Sequence, residues 1–260
     1  MSIPKNSCLI LGGTGAVGKS LVKDVLANNA FTRVLTLGRR PLPTEGDSSF
    51  KNLSLLEQQT VDLENPGSTF PSDLPQIVFC TLGTTRAAAG SAEAFKRIDQ
   101  GYVLDAARHI HEKAPKDPVT GLAKVHFLYC SSAGSSHKSY LLYSKTKGET
   151  ENALADIGFE RVSIFQPGFL KVVEPRSSGN RMAEMVIDKV MPVLDYFAER
   201  SVSAGVDKVA ETMRLVSMSD SVEVEGVKPK RVETHNKSTV AFYSNADIHD
   251  IVNHHASSKL

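Results

Sequence analysis

The first apolar run of the chain passes directly into a glycine-rich loop. Cys8–Leu11 is followed by Gly12-Gly13-Thr14-Gly15-Ala16-Val17-Gly18-Lys19-Ser20. The glycines fit both G-x-G-x-x-G and G-x-x-G-x-x-G, spacings that permit a tight turn, close backbone approach to a pyrophosphate and close helix–strand packing. The loop therefore predicts a nucleotide site between a first β-strand and a helix beginning near Ala16, whose backbone amides would face phosphates.

The same letters also satisfy a second nucleotide motif. Gly13 and the run Gly18-Lys19-Ser20 match G-x-x-x-x-G-K-[ST], in which the lysine reaches the outer phosphates and the hydroxyl holds magnesium. A triphosphatase of this type needs an acidic residue at the end of another apolar strand. No acidic residue ends the apolar runs at Leu37-Gly38-Arg39, Phe79-Cys80-Thr81 and Leu128-Tyr129-Cys130, so the dinucleotide interpretation is favoured, with a P-loop nucleotide triphosphatase as the residual alternative.

Short apolar runs alternate with helical patterns over the first two thirds of the chain. The predicted strands are Cys8–Leu11, 34–37, Ile77–Cys80, 125–129 and 162–165, with a weaker strand ending at 61–63. The predicted helices are 19–28, 92–112 and 140–157. Nearly continuous apolar character indicates strands covered on both faces, and alternation with helices implies parallel pairing. We predict an α/β fold with a doubly wound (Rossmann) parallel sheet and helices on both faces.

The pattern changes after Pro167-Gly168. Residues 169–260 show an irregular segment, helices near 182–197 and 206–218, a strand near 239–244 and a short last helix. We expect residues 1–260 to form one NAD(P)-binding domain in which 169–260 is a small C-terminal extension covering the substrate side. Loops are expected at 41–49 and 113–121.

Residues that follow the later strands indicate which cofactor the loop would bind. Arg39 and Arg40 come after the second strand, where a dinucleotide site needs a residue that reads the ribose. Their guanidinium groups suit a 2′-phosphate, which favours NADP(H). Asp62, at the end of the third strand, could accept a hydrogen bond from adenine, or be an ordinary strand-end residue. Gly83, after the fourth strand, would let a cofactor pass close to the backbone.

A serine, a tyrosine and a lysine form the candidate reactive group. Ser132 follows the fifth strand, and Tyr143 and Lys147 are four apart on a predicted helix, so they share a face. An ammonium beside a phenol favours its ionised form and makes it a useful proton donor at neutral pH. Ser132 would orient a substrate carbonyl, although spacing does not separate it from Ser131. Y-x-x-x-K alone also suits a half-buried tyrosine beside a surface lysine.

Composition excludes several other classes of protein. Lys and Arg total 30 against 29 Asp and Glu, and this balance argues against bulk electrostatic binding to nucleic acid. No apolar run approaches the ~20 residues that a membrane-spanning helix needs. The eight histidines show no ligand spacing and the three cysteines lie in apolar runs, so we expect no metal site and a reducing compartment.

Several stretches resemble the atypical branch of the short-chain dehydrogenase/reductase superfamily, and within it the Tat-interactive oxidoreductase family and its fungal mitochondrial relatives. These stretches are GGTGAVG, TLGRR, TLGTTRAAAGSAEAFKRIDQGYVLDAA, YSKTKGETE, FQPGFL and NADIHDI. The resemblance implies an NADP-binding sheet. The cofactor contacts it implies are phosphates against Thr14, Gly15, Ala16 and Val17, the 2′-phosphate against Arg39 and Arg40, and the remainder beside Leu82, Gly83, Tyr143, Lys147 and, at the nicotinamide, Leu170.

The resemblance further implies an NADPH-dependent oxidoreductase that transfers hydride to a small-molecule carbonyl or enone. Asp99 stands where many members of the superfamily carry an asparagine, which would alter a proton relay through that position. The alternative is therefore an NADPH-binding regulatory or adaptor protein with little turnover. The substrate's identity and the oligomeric state are left open.

Localisation follows only from the resemblance. The fungal relatives are linked to the mitochondrial outer membrane as peripheral proteins, so we expect a peripheral protein on the cytosolic face of that membrane, with the cytoplasm as the alternative. No presequence is expected before the first strand. The basic cluster at 228–231 would either touch anionic lipid head groups or form a solvated turn between strands.

Overall fold

In the computed structural model, which describes residues 7–171 and 202–259, two sheets organise the chain. The strands are β1 (Cys8–Leu11), β2 (Val34–Gly38), β3 (Leu56–Thr60), β4 (Ile77–Cys80), β5 (Ala123–Cys130), β6 (Phe159–Gln166), β7 (Phe169–Lys171), β8 (Ser203–Gly205), β9 (Arg231–His235) and β10 (Ser238–Ser244). The main sheet has the order β3-β2-β1-β4-β5-β6-β10-β9, and β7 pairs with β8 separately. In the main sheet only β9 runs antiparallel to its neighbour.

Helices cover both faces of the main sheet. They are α1 (Ala16–Ala27), α2 (Pro66–Thr69), α3 (Arg86–Ala89), α4 (Ala92–Lys96), α5 (Tyr102–Lys113), α6 (Leu142–Asp156), α7 (Val206–Met218) and α8 (Asn245–Ser257). Side chains of β1 alternate between two buried clusters: Cys8 and Ile10 lie with residues of α1, α7 and α8, whereas Leu9 and Leu11 lie with residues of α5 and α6. The predicted doubly wound α/β fold is confirmed.

Most predicted elements are present with similar bounds. β1 and β4 have the predicted limits, α1 begins at Ala16, and the predicted helices 140–157 and 206–218 correspond to α6 and α7. Because the strands from β1 to β6 are parallel, their carboxyl ends meet at one edge of the sheet. That edge carries the glycine loop, Arg39, Gly83 and Ser132, so it is where a ligand is expected.

The weaker strand predicted to end at 61–63 has different bounds. β3 ends at Thr60 and pairs only with β2, at the edge of the sheet, so its polar side chains are mostly exposed. Val61 and Leu63, which follow the end of the strand, are buried in the core. These apolar residues therefore belong to the segment after β3 and not to the strand itself.

The helix predicted over 92–112 is interrupted by a π-helical turn at Arg97–Gly101, between α4 and α5. Such wide turns are rare and occur often at functional sites. This turn directs Asp99 into the interior, while Ile98 and Tyr102 face a cavity described below. Helical periodicity alone does not reveal one extra residue in a turn.

The C-terminal part differs most from the prediction. β10 extends the main sheet beside β6, and a tight turn at Asn236-Lys237 leads into it from β9, which the sequence did not predict. Two short strands that the sequence did not predict, β7 and β8, lie at 169–171 and 203–205. The last helix, α8, was expected to be short and has 13 residues. The helix predicted near 182–197 lies outside the described residues.

Candidate functional site

The glycine loop is tightly packed between β1 and β4. Gly12 has a φ of 85°, and a Cβ there would lie 2.8 Å from the backbone nitrogen of Leu82. A Cβ on Gly18 would lie 2.2 Å from the carbonyl oxygen of Gly12. Gly12 therefore needs both positive φ and the absence of a side chain, and Gly18 allows α1 to pack directly on the loop.

The loop also presents the start of α1 toward the carboxyl edge. Gly15 donates its N–H to the Gly12 carbonyl over 3.0 Å and caps the helix without a side-chain hydrogen bond. Thr14 and Gly15 are exposed, whereas Val17 and Gly18 are buried against the core. Backbone N–H groups in this first turn are suited to phosphate oxygens.

Thr81 is a site residue that sequence reasoning missed. Its hydroxyl lies 3.0 Å from the carbonyl oxygen of Leu11 and 3.2 Å from that of Gly12, so it ties β4 to the glycine loop. Its position next to Leu82 and Gly83, at the carboxyl end of β4, was the available signal.

A cavity of about 400 Å³ opens along this edge of the sheet. Expected cofactor residues that line it are Gly12, Gly13, Thr14, Gly15, Arg39, Arg40, Leu82 and Gly83. Its other walls include Thr36, Gln58, Gln59, Leu63, Ile98 and Tyr102. The expected residues that do not line it are Ala16, Val17, Gly18, Asp62, Tyr143, Lys147 and Leu170.

Both arginines after β2 are exposed at the cavity, and within the described ranges no ion pair is made by either. The loop that carries them is held in place by Gln58, whose side-chain oxygen accepts the Leu42 N–H over 2.7 Å. The Leu42 side chain in turn packs on Gly13. Gln58 is a second missed residue, and a polar side chain in an edge strand was its only sequence signal.

Asp62 and Lys19, each a candidate for contact with a nucleotide, contact other groups of the protein. The Asp62 carboxylate accepts the Glu64 N–H over 2.9 Å in an exposed turn, as a local strand-end residue does. The Lys19 amine lies 3.2 Å from an Asp47 carboxylate oxygen and 5.8 Å from the Phe50 ring centroid. These contacts direct Lys19 toward the loop after β2, which does not favour the P-loop alternative.

Lys147 is almost fully buried on α6. Its Nζ lies 3.1 Å from Asp99 Oδ1 and donates to the Tyr129 hydroxyl over 3.2 Å. The other Asp99 oxygen accepts the N–H of Thr84 over 2.7 Å. Gly83 borders this group, because a Cβ there would lie 3.3 Å from both Asp99 Oδ1 and Lys147 Nζ. The buried ion pair therefore adjoins the cavity that Gly83 lines.

The charges of this group are set by burial and by each other. Burial by itself lowers the pKa of Lys147, but Tyr129, Asp99 and Tyr143 oppose it, and the net pKa lies above the usual lysine value. Burial raises the pKa of Asp99, while the Lys147 ammonium and the Thr84 N–H act in the opposite direction. Burial also raises the pKa of Tyr129. The arrangement keeps Lys147 protonated.

Tyr143 and Ser132 lie at the same edge of the sheet. Tyr143 begins the helical face that continues to Lys147; it is 44% exposed, and its ring packs against that of Phe95. Ser132 lies in the loop 131–141, called the serine loop below, which joins the start of α6 through a 3.0 Å hydrogen bond from Ser136 N–H to the Ser144 carbonyl.

The structure distinguishes the two adjacent serines. The Ser131 hydroxyl is buried and donates to a carboxylate oxygen of Glu151, which also accepts the Gln166 amide over 3.0 Å. Burial raises the pKa of Glu151. Among the described residues, the half-buried Ser132 hydroxyl contacts only the Ser135 hydroxyl, over 3.0 Å, and Ser135 itself donates to the Ser132 carbonyl over 2.8 Å. Unlike Ser131, Ser132 therefore has no carboxylate partner among these residues.

Leu170 follows β6 at this edge and is partly exposed on β7, where it pairs with Ala204. Through residues 7–171 and 202–259, no cluster of three His, Cys, Asp or Glu side chains could hold a metal ion. In the same ranges, no helix has the length and apolar character required to cross a membrane.

The relatives found by comparison with known proteins carry two recurring names, HTATIP2 and FMP52. Protein HTATIP2 of Rattus norvegicus is 38% identical over 165 residues, covering 63% of this chain and 62% of that protein, so less than two thirds of its length. The mitochondrial protein FMP52 of Lodderomyces elongisporus is 38% identical over 183 residues, covering 67% of this chain and 71% of that protein. The Candida albicans protein of that name is 35% identical, covering 69% and 75%.

No family model matches the chain. Among solved structures, a short-chain dehydrogenase/reductase from Mycobacterium ulcerans has a TM-score of 0.58 at 14% identity, covering 95% of this chain and 91% of that one. A short-chain dehydrogenase/reductase family oxidoreductase from Burkholderia thailandensis has a TM-score of 0.57 at 15% identity, covering 99% and 98%. At this identity, the likeness shows the fold alone.

Proposed function

Because the chain belongs to the family of the HTATIP2 and FMP52 proteins, atypical short-chain dehydrogenases/reductases, we propose that it is an NADPH-dependent oxidoreductase acting on a carbonyl or enone. One observation carries the proposal. Gly83 lines the same cavity as the glycine loop and the two arginines, and the buried Lys147–Asp99 pair lies next to it, 3.3 Å from where a Cβ would be. A nucleotide lying along that cavity would end beside the lysine.

The cavity residues fit a 2′-phosphorylated dinucleotide. Gly12 and Gly18 leave no room for a Cβ, as a backbone cradle for a pyrophosphate requires. Arg39 and Arg40 offer guanidinium groups at the end of β2, where the ribose would lie. No acidic residue of β2 competes there for a bare 2′-hydroxyl, which favours NADPH over NADH.

The reactive end would be formed by Ser132, Tyr143 and Lys147. Bound NADPH would supply a hydride to the carbonyl carbon. The Tyr143 hydroxyl would give its proton to the carbonyl oxygen, producing an alcohol, and the protonated Lys147 would stabilise the resulting phenolate. Ser132 would donate a hydrogen bond to the same oxygen and so orient the substrate.

The cofactor is tested by replacing both arginines. Arg39→Ala with Arg40→Ala should weaken NADPH binding by about 30-fold, ~2 kcal/mol, because a charge-assisted contact to the 2′-phosphate is lost. NADH binding should change little. Isothermal calorimetry measures both, with the exposed Arg108→Ala on α5 as the control. Equal losses for NADPH and NADH would contradict the proposed 2′-phosphate site.

We also propose peripheral association with the cytosolic face of the mitochondrial outer membrane, supported by the word mitochondrial in the names of the FMP52 relatives. Lys228 and Lys230 are exposed just before β9, whereas Arg231 lies 3.7 Å above the Phe242 ring and 3.2 Å from Glu233. Arg231 is exposed as well but is engaged by these contacts, so the two lysines would be the most available members of the cluster to anionic head groups. Release from purified mitochondria by high salt, and cleavage by added protease, test this association.

A further inference from the structure

The last helix reaches the candidate site through two buried polar side chains. Asn245 and His249 lie one turn apart on α8, and each is at most 5% exposed. Both belong to the NADIHDI stretch, to which the proposed reaction assigns no role. A buried polar side chain is stable only if its hydrogen bonds are made, so their partners indicate what the residues hold.

Asn245 joins two segments that are distant in sequence. Its side-chain oxygen accepts the Gly168 N–H over 2.7 Å, and its side-chain nitrogen donates to the Ser203 carbonyl over 3.0 Å. The two segments cross closely, since a Cβ on Gly168 would lie 2.2 Å from the Val202 carbonyl oxygen. Asn245 therefore fixes the start of β7 against the start of β8.

His249 strengthens the same contact. Its Nε2 lies 2.8 Å from the Ser203 carbonyl oxygen, which can only accept, so Nε2 carries the proton. Nδ1 is then free to accept from the Lys208 amine over 3.3 Å. Helix α8 is also held against α7 here, because Ile248 is fully buried and its carbonyl accepts the Thr212 hydroxyl of α7 over 3.2 Å.

These contacts continue to the proposed reactive residues. Pro167, which precedes Gly168, accepts the Ala133 N–H over 2.7 Å, and Ala133 follows Ser132 in the serine loop. On the other side, Gly168 leads into β7 and Leu170. An unbroken path of hydrogen bonds and single peptide units thus runs from α8 to Ser132 and to Leu170.

We propose that Asn245 and His249 are positioning residues that hold the serine loop and the β7–β8 pair against the nicotinamide half of the cofactor. This role rests on the proposed function. We call Asn245 and His249, with their bonds to Gly168 and Ser203, the clamp. Disturbing the clamp should weaken contacts with the nicotinamide half of the cofactor. Binding of the adenosine half, at the glycine loop and the arginines, should not change.

The test compares NADPH with adenosine 2′,5′-bisphosphate, which carries only the adenosine half. Asn245→Asp keeps the acceptor for Gly168 but turns an oxygen toward the Ser203 carbonyl, and an aspartate suits the first turn of a helix. NADPH binding should weaken about tenfold, or ~1.4 kcal/mol, whereas bisphosphate binding should change less than about twofold. His249→Leu should act in the same direction, and the exposed Asn253→Asp of the same helix is the matched control.

Unchanged NADPH affinity in folded Asn245→Asp, or equal loss of both ligands, would overturn the positioning role. Wild-type protein that binds neither ligand would instead overturn the proposed cofactor. Hydrogen exchange on the wild-type protein tests the clamp without any substitution: the Gly168 amide should exchange slowly, and fast exchange there contradicts the clamp.

Discussion

Among the described residues, Lys147 pairs with Tyr129 and Asp99, which come from different parts of the fold. Tyr129 lies near the carboxyl end of β5, and Asp99 is directed inward by the π-helical turn before α5. A buried ammonium is costly unless it is paired, and its partner would be equally costly alone. Asp99, which stands where many members of the superfamily carry a neutral asparagine, is therefore the charge that makes burial of Lys147 possible.

Removing either charge should leave the other buried without a partner. Asp99→Asn and Lys147→Met should each lower the free energy of unfolding by about 3–5 kcal/mol. The double variant should lose less than the sum, because no unpaired charge is left. Urea unfolding of the four proteins measures the coupling, and additive losses would contradict the ion pair. The Arg33–Asp73 pair, in which the aspartate is exposed and the arginine also pairs with Glu57, is the control and should show little coupling.

Tyr143 separates the enzyme from the regulatory alternative. Tyr143→Phe keeps the ring against Phe95 but removes the proton that the substrate oxygen would receive. NADPH binding should stay within about twofold, while NADPH consumption with a panel of aldehydes, ketones and enones should fall at least about 100-fold. Tyr140→Phe, at a fully exposed tyrosine, is the control. Equal turnover in Tyr143→Phe and wild type would contradict the proposed chemistry.

Among the elements, α1 depends on its contact with the glycine loop. The helix approaches the glycine loop so closely at Gly18 that any Cβ meets the Gly12 carbonyl. The same approach gives the amides of its first turn their position at the carboxyl edge. The packing of α1 and the geometry of the proposed phosphate site therefore both depend on the close approach of Gly18 to the Gly12 carbonyl.

Gly18→Ala should force α1 away from the loop and destabilise the protein by about 1–3 kcal/mol, the usual cost of overpacking. NADPH binding should weaken in parallel, since the first-turn amides move. Gly67→Ala in α2 is the control, because the nearest atoms to its Cβ would be 4.0 Å away. Thermal unfolding and calorimetry report the two effects. A fully stable Gly18→Ala variant would contradict the close packing.

At the scale of the whole molecule, the carboxyl edge collects segments from nearly all of the described chain. The glycine loop, the loop that carries Arg39 and Arg40, β4, the serine loop and β7 meet there, and α8 holds the last two. A ligand at that edge would contact several elements at once, so its binding should stabilise the folded protein as a unit.

NADPH at about 100 times its dissociation constant should raise the free energy of unfolding by about 2.7 kcal/mol. Magnesium with ATP should give no comparable increase, because Lys19 is engaged with Asp47. Thermal shift assays compare the ligands, and Lys19→Ala should keep the NADPH response. A magnesium-dependent ATP response that disappears in Lys19→Ala would favour the P-loop alternative.

The sequence alone was enough to predict features that depend on residues close together in the chain. The glycine spacing, the continuous apolar strands and the four-residue separation of Tyr143 and Lys147 predicted the doubly wound sheet and the candidate residues at its carboxyl edge. Backbone freedom and side-chain periodicity are short-range properties, so they can be read along the chain.

Tertiary structure decided the partners. Four pairs lie between 16 and 77 positions apart in the sequence: Asp99 with Lys147, Glu151 with Ser131, Gln58 with Leu42, and Asn245 with Gly168. The sequence pattern also misplaced the bounds of the edge strand β3 and did not predict the edge strand β9, since a strand paired on one side needs little apolar character. Long-range hydrogen bonds and ion pairs depend on distances that arise only when the chain is folded, and no local pattern encodes them.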